Sequence, residues 1–531
     1  MIIKRTVSTQ QLYRSLGLES FTTQEMHQIF DRIPKMQHNQ LSQQELHDYL
    51  FQRPPTAPST QVSFTEINYT KSSEFREIWQ ALGGNNTDRN DNQQQPHLTR
   101  DQFVQALHER ASSVDWHQTW PIIVSMLLVG TSVGVTTPAM PFVVQQLQLT
   151  AGQYGTVVSA FGLAKMMGNI PAAVLVERHG RKPYMTYSLG VIAVAVGGMG
   201  WAANFEQLYL CRLFTGLGVA ALSTAGTLMI TDNSTPLNRA STLAPIMSAF
   251  AAGTALGPAL GGYMVDAAGL QATFATVACS YVGVATLNRF LLKETLPKFE
   301  EKSLLSAATA NITTTTKTSP SISIEVQNAL GQWWPLFQDS RLRTVLFMNM
   351  AYWISLAGSQ MTLLPLVLTE QMNLSAFQVG QVYMGMSMIQ IVGNPIFASG
   401  ADRFGKVPAM VVGCTLISTA MMALPYQLTH VTTLAPCLAL WAAGSSMLST
   451  APVSYTSDIV KPSHRAQAIA MLRTGGDVGF LVGASMTGIL ADLTGNLVAM
   501  QSSAAMLLSA TSYFALRQYQ LTHSSSTDAK E

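Results

Sequence analysis

The sequence predicts an all-α, polytopic membrane protein: 12 transmembrane helices in two pseudo-symmetric six-helix bundles, plus a small helical N-terminal domain. Three observations carry this expectation. Of the 531 residues, 47% are hydrophobic and only 11% charged, where a soluble globular chain carries roughly 25% charged residues. Apolar runs of about 20 residues or more recur with short gaps, each long enough to cross ~30 Å of hydrocarbon as a helix. The two halves of this apolar region also repeat each other's motifs at one spacing.

Residues 1–115 are polar and rich in Gln. The first twenty residues lack an apolar core and a cleavage site, so no secretory leader is expected. Early acids, Glu19, Glu25 and Asp31, argue against an organellar transit peptide. Apolar runs then lie near 119–141, 152–176, 184–203, 207–230, 241–265 and 270–292. After a polar stretch containing "NITTTTKTSPS", six more lie near 343–367, 377–400, 407–428, 431–455, 466–490 and 495–517. The expected domains are an N-terminal helical domain at 1–115, bundles at 116–298 and 341–520, a linker at 299–340 and a disordered tail at 521–531. Cys211, Cys279, Cys414 and Cys437 all fall in apolar stretches without metal-ligand spacing, and read as packed thiols. No cofactor, metal site or enzymatic activity is expected.

Charge sets orientation. Alternate loops carry Arg178, Arg181, Lys182, Arg239, Lys293, Lys298, Arg403, Lys406, Lys461 and Arg465. The loops between them, near 142–151, 266–269, 368–376 and 491–494, carry no Lys or Arg. The positive-inside rule places the first set, both termini and the linker in the cytosol.

"GNIPAAVLVERHGRKP" at 168–183 is echoed by "GNPIFASGADRFGKVP" at 393–408. Glu177, Arg178 and Gly180 align with Asp402, Arg403 and Gly405 at an offset of 225 residues, as does "LTAGQYG" with "LSAFQVG". Asp232, Pro236 and Arg239 align with Asp458, Pro462 and Arg465 at 226. Gly253, Gly257, Gly262, Asp266 and Gly269 align with Gly479, Gly483, Gly488, Asp492 and Gly495 at the same offset. The chain reads as a duplicated six-helix unit, an architecture in which substrate binds between the repeats near the membrane midplane.

On these motifs the chain, over roughly 116–520, resembles the major facilitator superfamily and its twelve-helix drug:proton antiporter branch. "AVLVERHGRK" resembles the signature G-x-x-x-D-R-x-G-R-[RK] between the second and third spans. "GTALGPALGG", with Gly253, Gly257, Pro258, Gly261 and Gly262, resembles the antiporter signature of the fifth. "RLFTGLGVA" resembles the fourth-span signature R-x-x-x-G-x-G, and "KETLP" is common after the sixth span of that branch. Ala173, Glu177 and Ala244 depart from these patterns. The resemblance implies that Glu177, Arg178, Gly180, Arg181, Lys182 and their mates Asp402, Arg403 and Gly405 form a conformational switch favouring the outward-facing state. It also implies a proton-coupling role for Arg212, and a tight, leak-limiting fifth span. The plainer reading makes the loop charges a topology anchor and the glycines close packing.

A charge at mid-bilayer costs about 2.5–3.5 kcal/mol, so deep charges are candidates for function. They are Lys165, Arg212, Arg473 and Asp477; the repeat mates, including Gln390 opposite Lys165, are uncharged. Asp477 is the one acid deep in a span and a candidate proton carrier. Its alternative is a structural pair with Arg473, one helical turn away. Lys165 reads as a cavity-facing anion-binding or relay group; the alternative is a Lys neutralised by desolvation or paired with Asp477. Three cations against one acid favour an anionic or zwitterionic solute.

Two motifs mislead. "GADRFGKV" at 400–407 lacks the Ser or Thr and the preceding strand of a phosphate-binding loop. "GTSVG" at 130–134 lies within a helix, without a nucleophile elbow. In the polar front end, two helix–loop–helix units resemble an EF-hand pair, with Leu41 and Leu98 at the eighth loop positions and Glu45 and Gln102 at the twelfth. The first positions, Pro34 and Asp91, the third, Met36 and Gln93, and Pro96 in place of Gly depart from a calcium loop. A degenerate docking or regulatory module is expected.

The functional expectation is an alternating-access secondary active transporter of a small organic solute, coupled to protons as an antiporter. An uncoupled facilitator or organic-anion carrier is the alternative within transport. A non-transporting receptor or scaffold signalling through the N-terminal domain is the alternative outside it. Expected partners are the solute, a proton, the lipid bilayer and a cytosolic protein docking on the N-terminal domain, with no nucleic acid.

Overall fold

The computed structural model describes residues 22–33, 40–42, 45–46, 97–235, 237–295, 333–428, 430–461 and 464–527. Pro34, Met36, Asp91, Gln93, Pro96, Pro236, Lys298, Pro462 and most of the 299–340 linker lie outside these residues.

The chain packs as two compact units, residues Met1–Ile122 with Gly226–Met247, and Ile123–Ala225 with Ser248–Glu531. In the first, helix α1 (Thr23–Arg32) and helix α2 (Arg100–Ser112) are joined by a short antiparallel pair, β1 (Gln40–Ser42) and β2 (His97–Thr99). Leu41 stands opposite Leu98. Met26, Ile29, Phe30, Leu41, Phe103 and Leu107 are buried, and the rings of Phe30 and Phe103 meet at 5.4 Å. Thr99 and Gln102 form a capping box that starts α2. The Gln102 carbonyl therefore serves a backbone N–H rather than a ligand site. At the far end of α2, Thr235 Oγ1 donates to Ala111 O at 2.6 Å and Asn238 Nδ2 to Ser113 O at 2.5 Å.

Long helices make up the rest: α3 (Trp116–Gln146), α4 (Ala151–His179), α5 (Arg181–Met199), α6 (Phe205–Asn233) and α7 (Arg239–Leu291). Gly269 (φ 81°) divides α7 into two helices. Beyond the linker come α8 (Ser340–Ser355), a π-helical stretch (Leu356–Leu363) and α9 (Leu364–Glu370), followed by α10 (Ala376–Phe404), α11 (Lys406–Ala423), α12 (Val431–Ile459), α13 (Arg465–Thr494) and α14 (Asn496–Thr527). Among the described residues seven helices are long and apolar enough to cross a membrane, or eight when α4, bent by 48° at Asn169–Pro171, counts as one span. Pro171 explains the bend, because a proline withdraws an N–H and its ring crowds the preceding turn. The last helix continues to Thr527, into residues expected to form a disordered tail; no Gly or Pro interrupts it after Gly495.

The repeat is written in the backbone. The positive-φ glycines among the described residues form two pairs of repeat mates, Gly180 (φ 105°) with Gly405 (φ 102°) and Gly269 (81°) with Gly495 (92°). Gln148 (φ 52°) and Asn373 (φ 53°) are a third pair. Capping boxes Thr150–Gln153 and Ser375–Gln378 start α4 and α10 at matching positions. Gly180 and Gly405 let one helix stop and the next begin at once, through a conformation that side chains resist.

Candidate functional site

Lys165 and Asp477 come from different halves of the repeat, on α4 and α13, and their Nζ and Oδ1 atoms lie 3.9 Å apart. Both side chains are about one-third exposed (38% and 31%), so the protein does not fully enclose the pair. Arg473 precedes Asp477 by one turn but is exposed, and among the described residues no ion pair within 4 Å joins the two. Asp477 thus pairs across the halves rather than along its own helix. Gln390, the mate of Lys165, is half-buried on α10. The Nε of Arg212 on α6 is buried without a hydrogen-bond partner among the described residues.

Small residues make the close approach of α4 to α13 feasible. A Cβ at Gly155 would strike the Ala484 carbonyl, and one at Gly488 would sit 2.5 Å from Ala151 O. Nearer mid-span, Ser159 Oγ donates to Leu481 O and receives a bond from Ser485 Oγ, both at 2.7 Å. The glycines of "GTALGPALGG" do the same for α7. A Cβ at Gly257 would lie 2.5 Å from Thr131 O, and one at Gly261 2.5 Å from Val135 Cα, both on α3. Gly253 faces Leu127 O on the same helix, while Gly262 abuts the backbone of Ala376 on α10. Their mates Gly479 and Gly483 press on Met350 and Ile354 of α8. Pro258 shares this surface, its carbonyl abutting Gly380.

Tyr154, Tyr383, Asp266, Asp492 and Glu294 were given no role by the sequence, although Pro365 signals two of them. Pro365 has no N–H to offer Gln360 and Met361, the carbonyls five and four residues before it. Tyr154 OH donates to Met361 O at 3.1 Å from the opposite half, and Tyr383 OH donates to Gln360 O. The chain relaxes into π-helix just here, a form that gathers at functional sites. Asp492 Oδ2 accepts from Thr150 Oγ1 and Gly152 N, and Asp266 Oδ2 from Phe377 N.

At the opposite end, each half makes contacts of its own. Glu294 of "KETLP" accepts from the backbone N–H groups of Arg181 (2.9 Å) and Lys182 (3.1 Å), capping α5. Arg181 is buried, whereas Glu177, Arg178, Asp402 and Arg403 are exposed. Arg403 lies 5.6 Å from the centroid of the Phe404 ring. Lys406 pairs with Asp458.

The family model described as Major Facilitator Superfamily matches residues 122–425 and 344–530. The chain belongs to the Major Facilitator Superfamily. It is an integral membrane protein of a transporter family, with many apolar helices. Among this superfamily's members it is 22% identical over 370 residues to an uncharacterized MFS-type transporter of Methanocaldococcus jannaschii, covering 68% of this chain and 88% of that one. It is 26% identical over 182 residues to the multi-drug resistance efflux pump PmrA of Streptococcus pneumoniae, covering 33% of this chain and 45% of the pump. Less than half of that pump is therefore matched. A bacterial homolog of the human lysosomal transporter Spinster, in an inward-facing and occupied conformation, superposes with a TM-score of 0.61 at 14% identity, covering 76% of this chain and 96% of that one. That likeness shows the superfamily fold alone.

Proposed function

We propose that this superfamily member is a secondary active transporter that moves a small organic solute by alternating access, as a proton-coupled antiporter. Its architecture is read as 12 spans in two six-helix bundles, with both termini and the Lys- and Arg-rich loops in the cytosol. The observation that carries the reading is the Lys165–Asp477 pair. It is the one ion pair within 4 Å between the halves, among the described residues, and it lies deep in spans where an unneeded charge is costly. A carboxylate that gains a proton loses its ionic partner, so protonation of Asp477 would free Lys165. That would change what holds the halves together. Arg212, with its unpartnered Nε, is read as a second participant in coupling, and Arg473 and Gln390 as cavity residues. The excess of deep cations favours an anionic or zwitterionic solute.

The N-terminal unit is read as a degenerate EF-hand-like module. The pairing of Leu41 with Leu98, both set at the eighth loop position, supports this. The decisive experiment is solute flux in proteoliposomes under an imposed pH gradient. Flux that depends on the gradient, and that Asp477→Asn uncouples, is expected. Absence of flux across a broad solute panel would instead favour a receptor or scaffold.

A further inference from the structure

We infer that Asp266 and Asp492 form a matched pair of latches that hold the halves together at the end of the molecule whose loops lack Lys and Arg. Each carboxylate caps the start of a helix from the other half. Asp492, at the end of α13, accepts from Thr150 Oγ1 at 2.8 Å and Gly152 N at 3.0 Å, at the start of α4. Asp266, in the matching place on α7, accepts from Phe377 N at 3.1 Å at the start of α10. Asp266 and Asp492 are repeat mates, as are Phe377 and Gly152, so one device occurs twice. Two unrelated surface contacts would not share this registry.

The chemistry suits a latch. The first N–H groups of a helix have no partner within it and carry partial positive charge, so a carboxylate is their natural cap. The adjoining loops offer no Lys or Arg to compete for either acid. The helices touch at backbone level beside each latch, Gly262 on Ala376 and Gly488 on Ala151, so each carboxylate reaches its N–H groups directly. Both aspartates are also exposed. Water therefore stands ready to replace the lost hydrogen bonds, which keeps the latch releasable in every cycle. This inference rests on the alternating-access reading for its purpose, but its test needs no solute.

Spin labels at Gln146→Cys and Gln371→Cys, exposed positions on the two halves at this end, in a chain whose four native cysteines are replaced, report the gap by pulsed electron resonance in nanodiscs. The parent should show mainly the short distance. Asp266→Asn and Asp492→Asn should each shift the ratio of long to short about 2- to 5-fold, and together about 3- to 30-fold, from the usual strength of a carboxylate at a helix N-terminus. Should either variant fail to fold, Thr150→Val removes one latch hydrogen bond, together with the Thr150 cap on Gln153 N, and should produce a smaller shift than the loss of the whole carboxylate charge. Unchanged distances in folded variants would overturn the latch. A shift without solute flux in the same preparation would uphold the latch and count against the transporter reading.

Discussion

Lys165 and Asp477 approach to 3.9 Å although they stand more than 300 residues apart in the chain. Their contact gives the first prediction. Asp477→Asn keeps the size and polarity of the side chain but removes its charge. Membrane insertion and folding should survive, because both groups are partly exposed and the loss stays below the ~3–5 kcal/mol of a fully buried pair. Proton-driven solute accumulation should fall at least tenfold while exchange without a gradient persists. Lys165→Ala should reduce solute affinity as well, and flux measured at several solute concentrations separates the two effects.

Glu177 is exposed and, among the described residues, forms no ion pair within 4 Å in this conformer. A switch residue would find its partner only when the charged-loop end closes. Glu177→Ala should therefore leave surface expression and thermal stability unchanged while slowing transport several-fold or more. Transport at the parental rate would reduce this loop to a topology anchor.

Gly257 meets Thr131 O and Gly134 across the α7–α3 contact, with no room for a Cβ. Gly257→Leu should destabilise the protein by about 1–3 kcal/mol or more, since overpacking forces the backbones apart. Gly190, which faces open space, supplies the control: Gly190→Ala should be neutral or slightly stabilising in the same thermal assay.

Thr235 and Asn238 each serve twice. They cap one another at the start of α7 and hold the final carbonyls of α2. Thr235→Val with Asn238→Ala should accelerate amide exchange at the C-terminal turn of α2 by about tenfold or more, the equivalent of one or two hydrogen bonds. Exchange near Met185 and Leu189, buried in α5, should stay as before.

Much of this molecule is legible in its sequence, for a plain physical reason. Lipid demands long apolar segments and internally satisfied backbones, so span length and loop charge are printed in composition. The duplication makes the backbone predictable too: glycines at 180 and 405, or at 269 and 495, share positive φ because each stands at the same helix junction. What a linear chain does not display is which side chains meet across the halves. Asp477 has two candidate partners in the sequence, and helical spacing makes Arg473 as plausible as Lys165. Only the close seating of α4 on α13, set by Gly155 and Gly488, brings Lys165 within reach. Likewise Asp266 and Asp492 read as repeat markers, and Tyr154 and Tyr383 as ordinary core aromatics. Their hydrogen bonds exist because helix starts and a proline-interrupted turn leave backbone groups unpaired, and packing alone determines which side chain arrives to satisfy them.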